Sequence, residues 1–329
     1  MGISMETDFK GGTRSSSPAV SVVVPSYNHA PFVERCLTSI IKQTYTPFEL
    51  IVIDDGSTDS SPRIIERTLK SCPFPSELIV RPNKGLCATL NEALARSRGK
   101  YFAYLSSDDA WLPKFLQARV NLLESQPDAV LAYGHAYIID EKDHIVECSL
   151  DWAPYTKGSA SKRLLHAIGP LSPTVLYRRK ALERHGWNEG AKLEDYELYL
   201  RLSADGDFAF DANVLAAWRQ HWYNTSRDFT MMMNEWLDAQ RRVRASLGMS
   251  DEELAKIQTA LKFSCAEGFA RRGQKLTALA LMSHNLKGAP SVASIARMAI
   301  RLTLPQRLMR WRRNLLQHQS SRHYGSLQT

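Results

Sequence analysis

The arrangement of apolar residues up to about residue 125 limits the fold more than any other feature of the sequence. Four runs are almost continuously apolar, as is typical of strands covered on both faces of a sheet: "AVSVVVP", "FELIVIDD", "ELIVRP" and "YFAYLSS". Amphipathic segments separate them, and in the first of these the apolar residues recur with helical spacing from Val33 to Ile41. Strands that alternate with helices predict βαβ units around a parallel sheet, and therefore an α/β fold class.

The pattern changes after residue 127. Two strand-like runs joined by "EKD" predict a β-hairpin, and shorter strands and helices follow it. From residue 229 onward every segment has helical character. We therefore predict a polar lead at 1–17, a first α/β half at 18–127, a mixed α+β half at 128–228 and a helical region at 229–329.

The charge is distributed unevenly along the chain. The net charge is +8, but no Asp or Glu follows Glu267, whereas residues 268–329 contain eleven Lys and Arg. A basic tail on a mildly acidic body indicates an anionic partner, either a membrane surface or nucleic acid. No nucleic-acid-binding motif accompanies the charge, so nucleic acid is not the expected partner.

Within the tail, residues 295–316 have the pattern of basic amphipathic helices. Leu308, Trp311 and Leu315 share one face, and most of the neighbouring arginines lie away from it. Such helices bind anionic membrane interfaces, but they also pack as ordinary helices on a folded body. Both interpretations stay open at the level of sequence.

The cysteines and the first residues bear on location. The five cysteines are scattered without a C-x-x-C pair, which favours reduced thiols over a disulfide framework. The first 18 residues lack the apolar core of a signal peptide, and no run of about 18 apolar residues occurs. We expect a cytoplasmic protein, associated at most with the periphery of the cytoplasmic face of a membrane.

Polar residues follow three of the predicted strands directly. These are "SYN" at 26–28, "DDGS" at 54–57 and "SSDD" at 106–109. The carboxyl ends of parallel strands meet at one edge of a sheet, where ligands of such folds bind. The adjacent carboxylates Asp108 and Asp109 suit Mg²⁺ or Mn²⁺ held together with substrate phosphates. The alternative is that one of them caps the next helix.

The chain resembles the inverting family 2 glycosyltransferases, which have a GT-A fold. The resemblance is carried, in order, by "VSVVVPSYNHAPFVERCLTSIIKQTY", "ELIVIDDGSTDSS", "NKGLCATLNEAL", "GKYFAYLSSDD", "LEDYELYLRL" and "RQHWYNTSR". It covers about residues 20–228. It implies that 18–127 is a Rossmann-like half that binds a nucleotide-sugar and that 128–228 is the acceptor half.

The resemblance also implies roles for individual residues. The matched positions are Asp195 for the general base; Pro25, Tyr27, Asp55 and Asp108 for the nucleotide-sugar; and Asp109, with His221, for the metal. From the residues alone, Asp195 is also explained as an acid on a helix that pairs Glu197 with Arg201 at i, i+4. The other histidines, His29 among them, lack ligand spacing and are predicted to be surface or packing residues.

The implied reaction transfers one sugar, with inversion, from a nucleotide-sugar to a glycolipid or polysaccharide acceptor. The implied donor is a UDP-sugar and the implied cofactor is Mg²⁺ or Mn²⁺. The Q-x-x-R-W signature of processive members is absent, which favours a single transfer. Ser106 stands where the family commonly has Asp, so a catalytically impaired nucleotide-binding module is the alternative. A dinucleotide-dependent oxidoreductase is disfavoured because no G-x-G-x-x-G follows the first strand.

Overall fold

The computed structural model describes residues 20–155 and 160–327, and a mixed sheet of nine strands forms the centre of this part of the chain. The strands are β1 (Val20–Ser26), β2 (Glu49–Asp54), β3 (Ser76–Val80), β4 (Tyr101–Tyr104), β5 (Ala110–Trp111), β6 (Ala129–Ile139), β7 (Ile145–Cys148), β8 (Leu176–Arg178) and β9 (Asp207–Arg219). Their order across the sheet is β3-β2-β1-β4-β8-β6-β9-β5, and β7 pairs with β6.

The parallel part of the sheet, β3-β2-β1-β4, is the part that the sequence predicts. Successive side chains of β1 enter different cores: Val22 and Val24 join one cluster, whereas Val23 joins another. Because neighbouring residues of a strand point to opposite faces, both faces of the sheet are covered. This explains why the run in β1 is continuously apolar.

Helices connect and cover the strands. They are α1 (Val33–Ile41), α2 (Ser61–Leu69), α3 (Leu86–Arg96), α4 (Phe115–Ser125), α5 (Ser161–Leu165), α6 (Arg179–His185), α7 (Tyr196–Asp205), α8 (Phe229–Val243), α9 (Asp251–Arg271), α10 (Lys275–His284), α11 (Val292–Thr303) and α12 (Gln306–Tyr324). The buried face of α1 contains Val33, Cys36, Leu37 and Ile40, as its spacing predicts.

The predicted fourth strand is shorter than expected. It was predicted through Ser107, but β4 ends at Tyr104, and the chain bends before it re-enters the sheet as β5. A strand of two residues has no periodicity to reveal it. The side chain of Trp111 fixes the re-entry, because it is fully buried and donates its indole N–H to the carbonyl of Pro173 at 2.7 Å. Asp108 and Asp109 therefore lie in a bend between two pieces of sheet.

The second half of the sheet brings distant residues back to this bend. β6 and β7 form the predicted antiparallel hairpin. The long strand β9 runs parallel to β6 and antiparallel to β5, and Ala110 pairs with Ala217. The end of β9, Arg219, consequently lies beside Asp109, although 110 residues separate them in sequence.

The helical region packs against the sheet domain at several points. Ala239 and Val243 of α8 belong to the same core as the sheet, and Met298 of α11 packs in a separate cluster with α9. α12 has no buried residue, but beyond its end Leu327 is buried against the β6–β7 hairpin. Among the described residues, none of these helices has the combination of length and hydropathy needed to span a bilayer.

Candidate active site

A cleft of about 1040 Å³ opens beyond the carboxyl ends of β1, β2 and β4. Every site residue predicted from the sequence lines it: Pro25, Tyr27, Asp55, Asp108, Asp109, Asp195 and His221. The polar residues that follow the strands of the first half therefore face the acidic residues just before α7, Glu194 and Asp195, across the same cleft. The cleft is large enough for a ligand of nucleotide-sugar size, since small-molecule sites are usually about 300–1,000 Å³.

The turn after β1 is held rigidly against the turn after β2. Asn28 has a left-handed backbone, with φ of 54°, and its N–H donates to Ser57 Oγ at 2.8 Å. Its side-chain oxygen accepts the N–H of Thr58 at 2.8 Å. Tyr27 is thereby presented to the cleft from a fixed turn, with 48% of the residue exposed.

Asp55 anchors the loop that precedes α3. Its carboxylate accepts the backbone N–H groups of Lys84 at 2.9 Å and Gly85 at 2.8 Å, and it also binds the guanidinium of Arg81. Gly56 is required beside it, because its φ is +82° and an added Cβ would lie 2.8 Å from the backbone nitrogen of Asn83. A carboxylate has about four acceptor positions, so three donors leave room for a ligand contact.

The two adjacent carboxylates have different partners. Asp108 Oδ2 lies 2.9 Å from His221 Nε2, whereas Asp109 Oδ1 accepts the backbone N–H of Arg219 at 2.8 Å. Burial, and then the charge of Asp108, raise the pKa of Asp109 well above its usual value. Burial alone would also raise the pKa of Asp108, but the hydrogen bond with His221 and the nearby His29 imidazole outweigh it and lower that pKa.

Three side chains in the cleft are placed so that they could hold a metal ion. His29, Asp108 and His221 offer ligand atoms that all lie within 4.8 Å of one another. Asp108 Oδ1 is buried without a hydrogen-bond partner and lies 3.8 Å from His29 Nδ1, so a cation there would satisfy an otherwise orphaned atom. Carboxylate and imidazole together suit a divalent metal.

This group differs from the sequence prediction at two positions. His29 was predicted to be a surface or packing residue, but it lies beside Asp108, because the turn after β1 folds over the turn after β4 and Ser107 Oγ bonds His29 Nδ1 at 2.8 Å. Spacing in the sequence could not reveal this, since 79 residues separate the two. Asp109 is not a member of the group, and its role as a metal ligand stays a prediction.

Arg219 is a site residue that the sequence analysis missed. Only 1% of it is exposed, and its Nε donates to the carbonyl of Asp108 at 2.7 Å. Its two terminal nitrogens bind the carbonyl of Asp140 at 2.7 Å and the carboxylate of Asp143 at 2.6 Å. The guanidinium therefore ties the Asp108–Asp109 bend to the hairpin turn. The available signal was an arginine at the end of the apolar run "VLAAW", two residues before His221.

Asp195 immediately precedes α7 on the other side of the cleft. Burial, and then the charge of Glu194, raise the pKa of Asp195 well above its usual value. Glu194 receives a hydrogen bond from Tyr104 at 3.3 Å and is close enough to Asp108 for their charges to interact. The helix pairing predicted nearby exists, but Glu197 forms its closest ion pair with Arg242 of α8. That pairing does not involve Asp195.

α8 supplies a further wall of the cleft. Met232 and Trp236 line it, and the Trp236 ring lies 6.4 Å from that of Tyr196 in an edge-to-face arrangement. Tyr223, which is 88% exposed, lines the cleft just after His221, and the neighbouring Trp222 is 74% exposed. The end of the cleft near Asp195 is therefore lined by the aromatic rings of Tyr196 and Trp236, whereas the end near Asp55 and Asp108 is polar. Tyr223 lies beside His221, to which its backbone N–H donates at 3.2 Å.

Comparison with known proteins defines the class. The model of "Glycosyl transferase family 2" matches residues 21–186, half of the chain, and the chain belongs to this family. An uncharacterized glycosyltransferase of Rickettsia prowazekii, RP339, is 28% identical over 68% of this chain and 70% of its own length. The chondroitin synthase of Escherichia coli is 28% identical over 66% of this chain, which matches only 31% of that longer protein.

Solved structures share the fold. Residues 1–349 of S. aureus TarS in complex with UDP-GlcNAc superpose with a TM-score of 0.58 at 16% identity, covering 93% of this chain and 91% of that one. The mannosyltransferase PcManGT of Pyrobaculum calidifontis, in complex with GDP-Man and Mn²⁺, gives 0.59 at 17% identity, covering 94% and 87%. The predicted family, the GT-A fold class and the assignment as a glycosyltransferase are confirmed.

Proposed function

We propose that this glycosyltransferase is metal-dependent and inverting, and that it transfers a single sugar from a nucleotide-sugar, a UDP-sugar, to a glycolipid or polysaccharide. The observation that carries the proposal is the arrangement of the cleft. Asp195 lies on one wall, and His29, Asp108 and His221 lie together on another. A sugar between them would have a cation at its leaving group and a carboxylate at its acceptor.

The donor would lie along the polar end of the cleft. We assign Pro25, Tyr27 and Asp55 to the nucleotide base and Asp108 to the ribose and diphosphate. The exposed ring of Tyr27 offers a stacking surface, and the preformed hydrogen bonds of Asp55 hold its carboxylate in one orientation. The neighbours TarS and PcManGT are complexes with UDP-GlcNAc and GDP-Man, which supports a nucleotide-sugar of this general kind.

The metal would be held by His29, Asp108 and His221, and Asp109 remains a candidate for an additional ligand. Bound there, a divalent ion would neutralise the charge that develops on the departing diphosphate. Two imidazoles in the set favour Mn²⁺ over Mg²⁺, which prefers oxygen ligands. The Mn²⁺ in the PcManGT complex is consistent with this choice.

Asp195 would act as the general base. The oxygen of the acceptor hydroxyl attacks the anomeric carbon, its proton passes to the carboxylate of Asp195, and the bond from that carbon to the diphosphate oxygen breaks with its electron pair leaving on the phosphate. One displacement of this kind inverts the anomeric centre. The raised pKa of Asp195 makes its carboxylate a stronger base than an exposed Asp.

The acceptor would enter from the aromatic end of the cleft. The names of relatives, such as chondroitin synthase and a putative teichuronic acid biosynthesis glycosyltransferase of Bacillus subtilis, support a glycan acceptor in polysaccharide biosynthesis. We propose a cytoplasmic location, with peripheral association to an anionic membrane through residues 295–316.

The competing candidate is an impaired module that binds the nucleotide-sugar without transferring it. Ser106 in place of the usual acid favours it. The unpartnered Oδ1 of Asp108 and the two neighbouring imidazoles favour the active enzyme, because they provide a donor set for the cation without an acid at 106.

A screen decides between the two candidates. The full chain is incubated with a panel of nucleotide-sugars and Mn²⁺, and release of nucleoside diphosphate is followed by mass spectrometry, with NMR reporting the anomeric configuration of the released or transferred sugar. We expect turnover of one donor with inversion, and loss of that turnover with EDTA and in Asp108→Asn. The conservative control Asp205→Asn, at the exposed end of α7, should remain active. Binding of donor without any turnover would support the impaired module, and retention of configuration would contradict the mechanism.

A further inference from the structure

The first half of α12 exposes an apolar and basic face. Leu308, Trp311 and Leu315 are 47%, 61% and 41% exposed, although their spacing places them on one side of the helix. Arg307 and Arg312 flank this side of the helix and are also exposed, and together with the three apolar side chains they form what we call the α12 face. Arg310 and Arg313 are exposed as well, but the helical spacing of 3.6 residues per turn places them on the opposite side. Large apolar side chains that stay exposed beside a cluster of positive charges mark an interaction surface.

α12 adjoins the elements that support the acceptor end of the cleft, as a series of contacts shows. Trp236 lines the cleft, and its ring lies 5.9 Å from that of Phe229 at the start of α8. The guanidinium of Arg272, at the end of α9, lies 4.1 Å from the Phe229 ring. Gly273, the next residue, packs against Gln306 at the start of α12, since an added Cβ there would lie 3.0 Å from the Gln306 side-chain nitrogen.

Three further hydrogen bonds hold the two ends of α12 in place. Gln306 donates its amide N–H to the carbonyl of Arg271 at 3.3 Å, which holds the start of α12 against the end of α9. At the other end, Ile145 N–H donates to the carbonyl of Gly325 at 3.0 Å, and Leu327 N–H to that of Asp143 at 2.9 Å. The helix is therefore attached at both ends, and its exposed middle is held in a defined orientation.

We infer that the α12 face docks on an anionic lipid bilayer and thereby presents the Trp236 end of the cleft to acceptors in that bilayer. The inference rests on the proposed function: it assigns the membrane association proposed above to one face of α12 and adds the orientation of the acceptor end. Charge complementarity selects the occupant, because residues 268–327 carry eleven Lys and Arg and no acid. Arginines beside a tryptophan and leucines fit the interface between headgroups and acyl chains.

Nucleic acid would use the same positive charges but not the leucines. Removing Trp311 and Leu308 should therefore weaken binding to a bilayer and leave binding to double-stranded RNA, which is contacted through its backbone, unchanged. Each arginine near an anionic surface is expected to strengthen binding about fivefold. The loss of binding on charge reversal can therefore be predicted.

The experiment is flotation of the full chain with vesicles of phosphatidylcholine alone or with 30% phosphatidylglycerol, in roughly physiological salt. We expect flotation only with the anionic vesicles, and a loss of at least about 25-fold in partitioning for Arg307→Glu/Arg312→Glu. The control Arg63→Glu/Lys70→Glu makes the same charge change on exposed residues of α2 and should float as the wild type does. Trp311→Ser/Leu308→Ser should lose flotation with its charge intact.

The orientation is tested with an environment-sensitive fluorophore in a Cys72→Ser background. A label at Thr230→Cys, next to Phe229, should shift to the blue on addition of anionic vesicles, whereas a label at Glu66→Cys on α2 should not. Equal shifts at both positions would overturn the orientation, and equal flotation of both charge-reversed proteins would overturn the docking. Binding to RNA at least as tight as to vesicles would replace the bilayer with nucleic acid. Mn²⁺-dependent binding of UDP, measured on the same proteins by calorimetry, reports separately on the proposed function.

Discussion

The two ends of the cleft are constructed differently. At the donor end, side chains that would face the ligand are fixed by backbone groups: Asp55 by Lys84 and Gly85, and Asp109 by Arg219. At the acceptor end the lining is aromatic, and Trp236 is partly exposed. A ligand that is always the same molecule binds more tightly to a preorganised site, because the protein loses little conformational freedom when the ligand binds. An exposed aromatic surface instead fits many sugar faces.

This difference also determines how strongly substitutions elsewhere in the molecule affect each end of the cleft. The Asp108–Asp109 bend is tied by Arg219 to the hairpin turn at Asp143, so changes far from the ligand reach it. Trp236 stands on α8, and its ring contacts the rings of Tyr196 and Phe229. Substitutions should therefore have larger and more cooperative effects at the donor end and at Asp195 than at the acceptor end.

The largest effect is expected for Asp195→Asn. Removal of the general base should lower the transfer rate by about 10²–10⁴-fold, because an amide cannot take the acceptor proton. Binding of UDP with Mn²⁺ should be unchanged, since Asp195 lies across the cleft. Calorimetry and product release on the same preparation test this. A variant that retains transfer would remove Asp195 from the mechanism, and Asp205→Asn serves as the matched substitution on the same helix.

The pH dependence should report the same carboxylate. Only the ionised form of Asp195 accepts a proton, and burial with the adjacent Glu194 raises its pKa. The rate at saturating substrate should therefore fall as the pH is lowered through a value above that of an ordinary Asp, about tenfold per unit below it. If the acidic limb instead lies near pH 4, the carboxylate is not in the environment described.

A matched pair of buried arginines separates positioning from stability. Arg219→Lys should weaken Mn²⁺ binding by about 10–100-fold, because a lysine cannot hold the Asp108 carbonyl, the Asp140 carbonyl and the Asp143 carboxylate together. Arg119→Lys is the control: this arginine is fully buried and binds Asp211 but does not line the cleft. Both variants should lower the melting temperature. Mn²⁺ binding is measured by electron paramagnetic resonance. Equal losses of Mn²⁺ affinity in the two variants would show that Arg219 contributes only to stability.

A smaller effect is expected for Trp236→Ala at the acceptor end. Loss of one stacking surface should raise the KM for a glycan acceptor by about 3–10-fold, on the scale of one aromatic contact. The rate of donor hydrolysis by water should stay the same. Trp152→Ala, at an exposed tryptophan outside the cleft, provides the comparison. A rise in the KM for the donor as well would show that the two ends are not independent.

The smallest effect should come from Leu327→Ala. Leu327 packs with Ala110, next to Asp109, and its carbonyl accepts a hydrogen bond from Arg35, which also pairs with Asp143. Loosening this contact should weaken Mn²⁺ binding two- to threefold through Asp143 and Arg219. Leu316→Ala, an exposed position on α12, should have no effect. An unchanged Mn²⁺ affinity in Leu327→Ala would show that the bend does not depend on the end of the chain.

Much of the first half could be predicted because local patterns determine it. A parallel strand buried on both faces needs a continuous apolar run, and "AVSVVVP" provides one that becomes β1. The carboxyl ends of such strands meet at one edge whatever the details of packing, so Tyr27, Asp55 and Asp108 were expected in one place and lie in one cleft. The order of these segments also resembles the family to which the chain belongs.

The remainder of the site depends on contacts between residues far apart in sequence. His29 joins Asp108 only because two turns fold over each other, and Arg219 reaches Asp109 only through the pairing of β9 with β5. A lone histidine, or an arginine in a strand, has no local signature that distinguishes these positions from ordinary packing. The wall provided by α8 likewise lay outside the segment to which the resemblance extends.

By itself, then, the order of residues determined the class of fold, the edge at which the ligand site forms and the acids that line it. Tertiary structure alone decided which donors surround Asp108, which guanidinium supports the Asp108–Asp109 bend and which face of α12 is left exposed. The physical reason is the range of the interactions. Burial of strands and helices follows periods of two and 3.6 residues along the chain, whereas the partners of a buried polar group are chosen by the fold as a whole.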